Sequence, residues 1–307
     1  MDARTKYFLG RAFLVLLMFF TFAAPSMAAS VQFPPIVQPK NDLDLDGKVI
    51  FVELVTPDLA AAKKFYAGLF GWTFRDIRIQ RKTGVINYAE ALLDGRPVAG
   101  LFQRKLPAGG RRRPAWLTFF SVRNADAAEK TAVRNGAKLL FGPRDVPGRG
   151  QEAVFADPQG AVFAVLESSS GDPPDFLPSP GEWIWSSLIT TDPDTDAAFY
   201  QKLFGYEVFQ LPNGEGQHLL LSSENYARAS VNSVPAKRPG LHPHWLNFVR
   251  VVNSEKTAAN VVALGGRILV APHADRQGGK VAIAADPEGA VFGLLEWPGA
   301  KDTEAPR

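Results

Sequence analysis

The amino-acid sequence predicts an α+β protein built from four β-α-β-β-β modules, and three features carry that expectation. One stretch recurs at a period of about 130 residues. Within each copy, the alternation of a strand twice gives way to the spacing of an amphipathic helix and then returns. The turns between these runs carry Asp, Pro and Gly where turn and cap geometry favours them.

The repeat is direct. Val49 to Phe74 (VIFVELVTPDLAAAKKFYAGLFGWTF) matches Trp183 to Val208 (WIWSSLITTDPDTDAAFYQKLFGYEV), with FY and LFG in register. Trp116 and Leu117 match Trp245 and Leu246, each followed by Phe, Val and Asn at equal offsets. Val154 to Glu167 (VFADPQGAVFAVLE) matches Ile283 to Glu296 (IAADPEGAVFGLLE). The copies are therefore 48–167 and 183–298. Between them, 168–182 holds four prolines and is expected to be a stiff, exposed linker.

In the first copy, Val49 to Thr56 alternates as a strand. Leu59, Ala62, Phe65, Tyr66, Leu69 and Phe70 then follow helical spacing. Thr56 or Asp58 suits the helix start and Gly71 its end; Asp192, Pro193 and Gly205 do the same in the second copy. Strand-like runs follow at Asn87 to Leu93 and, past Asp94 and Gly95, at Val98 to Gln103. A second strand and helix occupy Ala115 to Asn135. The unit closes in a hairpin with Asp157, Pro158 and Gly160 at the first, second and fourth places of a type I turn.

Residues 1–28 read as an export signal: basic up to Arg11, apolar from Ala12 to Ala24, then small residues with cleavage expected after Ala28. The apolar run is shorter than the roughly 20 residues of a bilayer-spanning helix, so no stable membrane span is expected once the signal is removed, with an uncleaved anchor as the alternative. A periplasmic or secreted location follows, and the absence of cysteine suits an oxidising compartment. Residues 29–47, rich in Pro, Gln and Asp, are expected to form a solvated spacer. The net charge is +3, and the signal carries two of those charges. With no basic stripe interleaved with aromatics, nucleic acid is not an expected partner.

The modules, the helix ends in FY and LFG, and the DPxGAVF hairpins resemble the vicinal oxygen chelate superfamily of glyoxalase I, bleomycin-resistance proteins and extradiol dioxygenases. The resemblance covers Val49 to Trp297 and implies that modules pair, so that four modules make two cupped mixed β-sheets, one per copy. In metal-using relatives the first or last strand of each module supplies a ligand. Carried over by register, those places are Phe51, Ala99, Leu117 and Ala164, then Trp185, Ala229, Leu246 and Gly293. None offers the imidazole or carboxylate that a divalent ion needs. No cofactor is therefore expected, and the chain reads as a binder of a small molecule rather than as a catalyst.

Glu53 shares the cup face of its strand with Phe51. It is either a ligand-orienting carboxylate or a carboxylate satisfied by a neighbouring strand; Ser187 stands in its place in the second copy. His242 and His244 alternate before Leu246 and are either a relocated metal site or loop-edge histidines, while His218 and His273 stand alone. Phe51, Trp116, Trp185 and Trp245 could stack a planar ligand or belong to the core. Arg111, Arg112 and Arg113 suggest an anion-attracting rim or a solvated run. Glu167 and Glu296 are expected to be structural. The candidate ligand-binding residues are thus Phe51, Glu53, Trp116, Trp185, Ser187, His244 and Trp245. Two rival readings stay open, a metal-dependent lyase or dioxygenase with relocated ligands and a non-catalytic assembly module. Oligomeric state is left open.

Overall fold

The computed structural model describes residues 32–81, 84–105, 114–212, 216–233, 242–275 and 278–297. The first copy runs β1 (Val49–Thr56), α1 (Leu59–Phe70), β2 (Thr73–Arg81), β3 (Gly84–Leu93), β4 (Arg96–Gln103), then β5 (Ala115–Ser121), α2 (Ala125–Arg134), β6 (Lys138–Val146), β7 (Gly150–Ala156) and β8 (Val162–Ser168). The second repeats it: β9 (Trp183–Thr190), α3 (Pro193–Phe204), β10 (Glu207–Gln210), β11 (His218–Ser223), β12 (Tyr226–Ser233), then β13 (His244–Val251), α4 (Ser254–Ala263), β14 (Arg267–Ala274), β15 (Lys280–Ala285) and β16 (Val291–Glu296).

Each copy closes its own eight-stranded sheet, ordered β2-β3-β4-β1-β5-β8-β7-β6 and β10-β11-β12-β9-β13-β16-β15-β14. The chain is thus α+β, with the two modules of a copy joined through the antiparallel pairs β1/β5 and β9/β13 and flanked by the parallel pairs β1/β4, β5/β8, β12/β9 and β13/β16.

Local chemistry fixes the ends. Asp58 caps α1 by accepting from Ala61 N (2.9 Å), and Gly71 ends it at φ 74°, the left-handed conformation that glycine adopts without strain. Asp192, Pro193 and Gly205 (φ 72°) do the same for α3. Glu167 and Glu296 accept from Ala125 N (3.0 Å) and Ser254 N (2.8 Å), so both glutamates hold the starts of α2 and α4.

The repeated motifs have a second use that local turn chemistry does not reveal. The Tyr66 hydroxyl, from the FY pair of the first copy, donates to Asp286 of the second copy's DP hairpin (3.1 Å). Tyr200 donates to Asp157 of the first in return (3.0 Å). Accordingly one core combines the first module with the fourth, and another the second with the third. At the centre Thr118 and Asn247 exchange hydrogen bonds of 3.1 and 2.9 Å between β5 and β13. Burial pushes the Asp157 and Asp286 carboxyls up, and the turn amides and these tyrosines pull them back.

Two segments differ from expectation. Residues 32–47 do not run free through solvent: Phe33 and Ile36 are buried, and Phe33 N donates to Pro147 O (2.9 Å). The linker is anchored by Asp172, whose Oδ2 accepts from Ser121 Oγ and Leu45 N (2.6 Å each), although Phe176 and Leu177 remain exposed. Hydrophobic side chains and hydrogen-bonding partners outweigh the turn-rich composition in both.

Candidate functional site

On each sheet one set of alternating residues packs under the helices and the other lines the cup. The first cup is occupied by the chain itself. Ile36 packs with Phe51, Leu117, Phe119, Ala164 and Leu166, while Phe33 packs with Tyr88, Val146, Ile77, Ile86 and Phe102. Phe51, Leu117 and Ala164, the places expected by register to correspond to ligands of metal-using relatives, surround an isoleucine.

Beside this plug lies Arg149, 1 % exposed. Its guanidinium stands 4.5 Å from the Phe51 ring centroid, 5.2 Å from that of Phe33 and 5.5 Å from that of Tyr88. Nη1 donates to Glu53 (3.2 Å) and Nη2 to the Tyr88 hydroxyl (2.7 Å). Burial raises the Glu53 carboxyl and Arg149 opposes it. Glu53 is thus the partner of a buried cation under a plug, which a charge on an inward face requires. Arg149 itself sits in a Pro/Gly-rich loop outside the matched motifs, so nothing in the repeat aims it into the cup; only the fold brings it there.

The second cup is different. None of residues 32–47 belongs to the apolar cluster on this face. One half is apolar, with Leu246, Phe248, Val281, Ile283, Leu295 and Trp297 in one cluster. The other half is polar: Trp185 Nε1 donates to Ser230 Oγ (3.0 Å), Ser187 and Ser230 share a hydrogen bond (2.8 Å), and Asn232 Nδ2 reaches the same Ser230 oxygen (3.3 Å). Asn232 Oδ1 is buried with no hydrogen-bond partner. His218 pairs in register with Asn232 on the same face. Trp185, Ile189 and Ile283 are partly exposed.

The structure brings Trp185, Ser187 and His244 to the second cup and Phe51 and Glu53 to the first. Trp116 and Trp245 lie on the opposite, helix-covered faces, each 6 % exposed. They donate to the Tyr66 and Tyr200 hydroxyls (3.0 and 2.8 Å), where a bound molecule has no space to stack on them. Ala99 and Ala229 also face the helices; the cup residues of those strands are Gly100 and Ser230, paired with Glu53 and Ser187. His244 Nδ1 lies 2.8 Å from His242 O at the rim. Arg111 to Arg113 fall outside the described residues.

These donors do not fit a divalent ion. Among the described residues no three His, Asp or Glu converge, and the corrected family positions, Gly100 and Ser230, supply no imidazole or carboxylate. At Gly293 the Phe248 ring lies so close that no Cβ could be accommodated.

A family model described as the Glyoxalase/Bleomycin resistance protein/Dioxygenase superfamily matches residues 48–165, and one described as a Glyoxalase-like domain matches 186–295. The chain is 30 % identical over 258 residues to "Putative glyoxylase CFP32" of Mycobacterium tuberculosis, covering 84 % of this chain and 98 % of that protein. It is 29 % identical over 268 residues to the anthracycline biosynthesis protein DnrV of Streptomyces peucetius, covering 81 % and 93 %. Among solved structures, the Mn(II)-bound glyoxalase of Novosphingobium aromaticivorans shares the fold at TM-score 0.56 and 18 % identity over 83 % of each chain. The 2,3-dioxygenase LapB of Pseudomonas sp. KL28 shares it at 0.55 and 13 %, covering 84 % of this chain and 96 % of that one.

Proposed function

Because the chain belongs to the glyoxalase/bleomycin resistance/dioxygenase superfamily, with two tandem copies of its domain, we propose that it is an exported small-molecule binder that uses its second cup without a divalent ion. The observation that carries this reading is the contrast between the hollows. The first is filled by Phe33, Ile36 and Arg149; the second combines an apolar wall with the Ser187, Ser230 and Asn232 cluster and an unanswered acceptor. A largely apolar hollow with a few convergent polar groups is the usual form of a ligand site.

The class of ligand is a planar aromatic of modest polarity. Trp185 supplies a ring held in place by its own hydrogen bond, and relatives named for anthracycline biosynthesis support a polycyclic example. No bond-making step is assigned, because among the described residues neither hollow brings together a nucleophile, an acid and a base. The basic and apolar leader supports export; mature protein recovered from the periplasm should begin at Ala29.

The test is thermal unfolding against a panel of planar aromatics that includes daunorubicin, with and without EDTA. At least one compound should raise Tm, the rise should survive EDTA, and Ile283→Trp, which fills the apolar half of the second cup, should abolish it. A rise that disappears with EDTA, or persists in Ile283→Trp, refutes the assignment.

A further inference from the structure

A cavity of about 440 Å³ lies where the two copies meet, roofed by the linker and flanked by the starts of β1 and β9. Its volume falls within the roughly 300–1,000 Å³ typical of ligand pockets. Its apolar walls come from both copies and the linker, including Ile50, Phe51, Val98, Ile184, Trp185 and Leu177. Leu177, with its neighbour Phe176, keeps an exposed apolar side chain at this edge.

The polar wall carries an ion cluster of unequal make-up. Lys48 Nζ (2.8 Å) and Arg228 Nη1 (2.7 Å) converge on the same Asp175 oxygen, Oδ1. Lys48 also donates to Pro173 O (2.6 Å) and Arg228 Nε to Ser223 Oγ (3.0 Å). Arg228 Nη2 is buried without a hydrogen bond; its nearest carboxylate, Glu224, stands at 3.6 Å and is half exposed. Glu182, the remaining acid in the lining, is neutralised by Arg96 (3.0 Å). Asp172 lies behind the cluster, taken up by Ser121 and Leu45, and is not part of the wall. A partly buried lysine and a buried arginine therefore share one lining carboxylate. Burial lowers the Lys48 ammonium despite Asp175, whereas Lys48 and Arg228 hold the Asp175 carboxyl below its usual range against its own burial. The group left without a hydrogen bond on this wall is Arg228 Nη2, and a buried donor is costly unless a partner meets it.

We infer that this seam cavity binds an amphipathic anion, with an aromatic or branched apolar body against the linker and the strand starts and a single carboxylate or sulfonate at Lys48 and Arg228. The site is separate from the second cup, although Trp185 borders both.

The test uses two fluorescent probes of similar body, the anionic 8-anilinonaphthalene-1-sulfonate and the uncharged N-phenyl-1-naphthylamine, each titrated into the full chain. Energy transfer from Trp183 and Trp185, which line the cavity, reports occupancy. Lys48→Met should weaken the anionic probe about ten-fold and leave the uncharged one within about two-fold, the effect of losing one charged hydrogen bond. Leu177→Glu sits at an exposed position, so it decides the matter even if Lys48→Met fails to fold, and it should weaken the anionic probe by a similar factor. Every titration is run in the Ile283→Trp background, which closes the second cup to aromatic probes, so the binding that remains reports the seam cavity whatever the outcome in the cup. No binding of the anionic probe in that background, equal loss of both probes on adding Lys48→Met, or no loss of the anionic probe on adding Leu177→Glu overturns the inference.

Discussion

Replacing Asp196 by Ala should stabilise the protein at pH 8 and cost it about 1 kcal/mol at pH 4. Asp196 lies in the first turn of α3, where the helix dipole favours an anion by about 0.3–1 kcal/mol. Burial opposes that preference and is larger. The side chain is fully buried, only the Thr190 hydroxyl favours its charged form, and Asp157 and Asp192 face it. Burial first, and then these two acids, push its pKa up from 3.8 to about 7. Below about pH 4 the group is protonated in both folded and unfolded chains. Between pH 4 and 7 the folded chain keeps a proton that the unfolded chain releases, so the stability associated with that proton is lost as pH rises through this window. An interval of about 3 pH units at 1.36 kcal/mol each gives about 4 kcal/mol as the full loss by pH 8. The first copy already has Ala62 at the equivalent place, packed and buried, so Ala suits this helix position. Less a cavity cost of about 1 kcal/mol, the variant should gain roughly 2–4 kcal/mol at pH 8. Glu53, Asp172 and Asp286 also have raised carboxyls, but they are common to both chains and cancel in the difference. Urea unfolding followed by tryptophan fluorescence at pH 4 and pH 8 is the assay. An equal effect at both pH values, or destabilisation at pH 8, would refute the reasoning.

Three further outcomes follow from the same structure. Phe33→Ala should cost about 3–5 kcal/mol in urea unfolding, because it empties a packed aromatic site and strips one ring from the Arg149 guanidinium; a loss below 1 kcal/mol would mean that residues 32–37 do not hold the first cup shut. Glu53→Ala should cost about 3–5 kcal/mol by leaving Arg149 without its closest carboxylate, and Glu53→Gln should cost less, since it keeps a hydrogen-bond acceptor; equal costs would show that the charge is irrelevant. Tyr66→Phe and Tyr200→Phe should each cost about 1–3 kcal/mol by removing a donor from a buried aspartate of the other copy. If denaturation midpoints are unchanged in both, these contacts do not lock the copies together.

The amino-acid sequence by itself determined the modules, because the signals involved are local. A strand followed by FY and LFG at helical spacing, the Asp58 and Gly71 caps and the DPxG turn each depend on neighbours a few residues away, and duplication repeats the evidence at an independent site. It also allowed an expectation of which residue types stand where metal-using relatives carry ligands, since that follows from register. Register alone set Ala99 and Ala229 one residue off, because the face of a strand is decided by its partners.

Only the tertiary structure decided what those positions surround. Whether Glu53 meets a ligand or Arg149, whether Trp116 stacks a guest or donates to Tyr66, and whether residues 32–37 are spacer or plug all depend on contacts distant in sequence. The Tyr66–Asp286 and Tyr200–Asp157 pairs span 220 and 43 residues. Local propensity has no term for such pairs. They form because burying an aromatic ring or pairing a buried charge yields free energy only once the distant partner is in place.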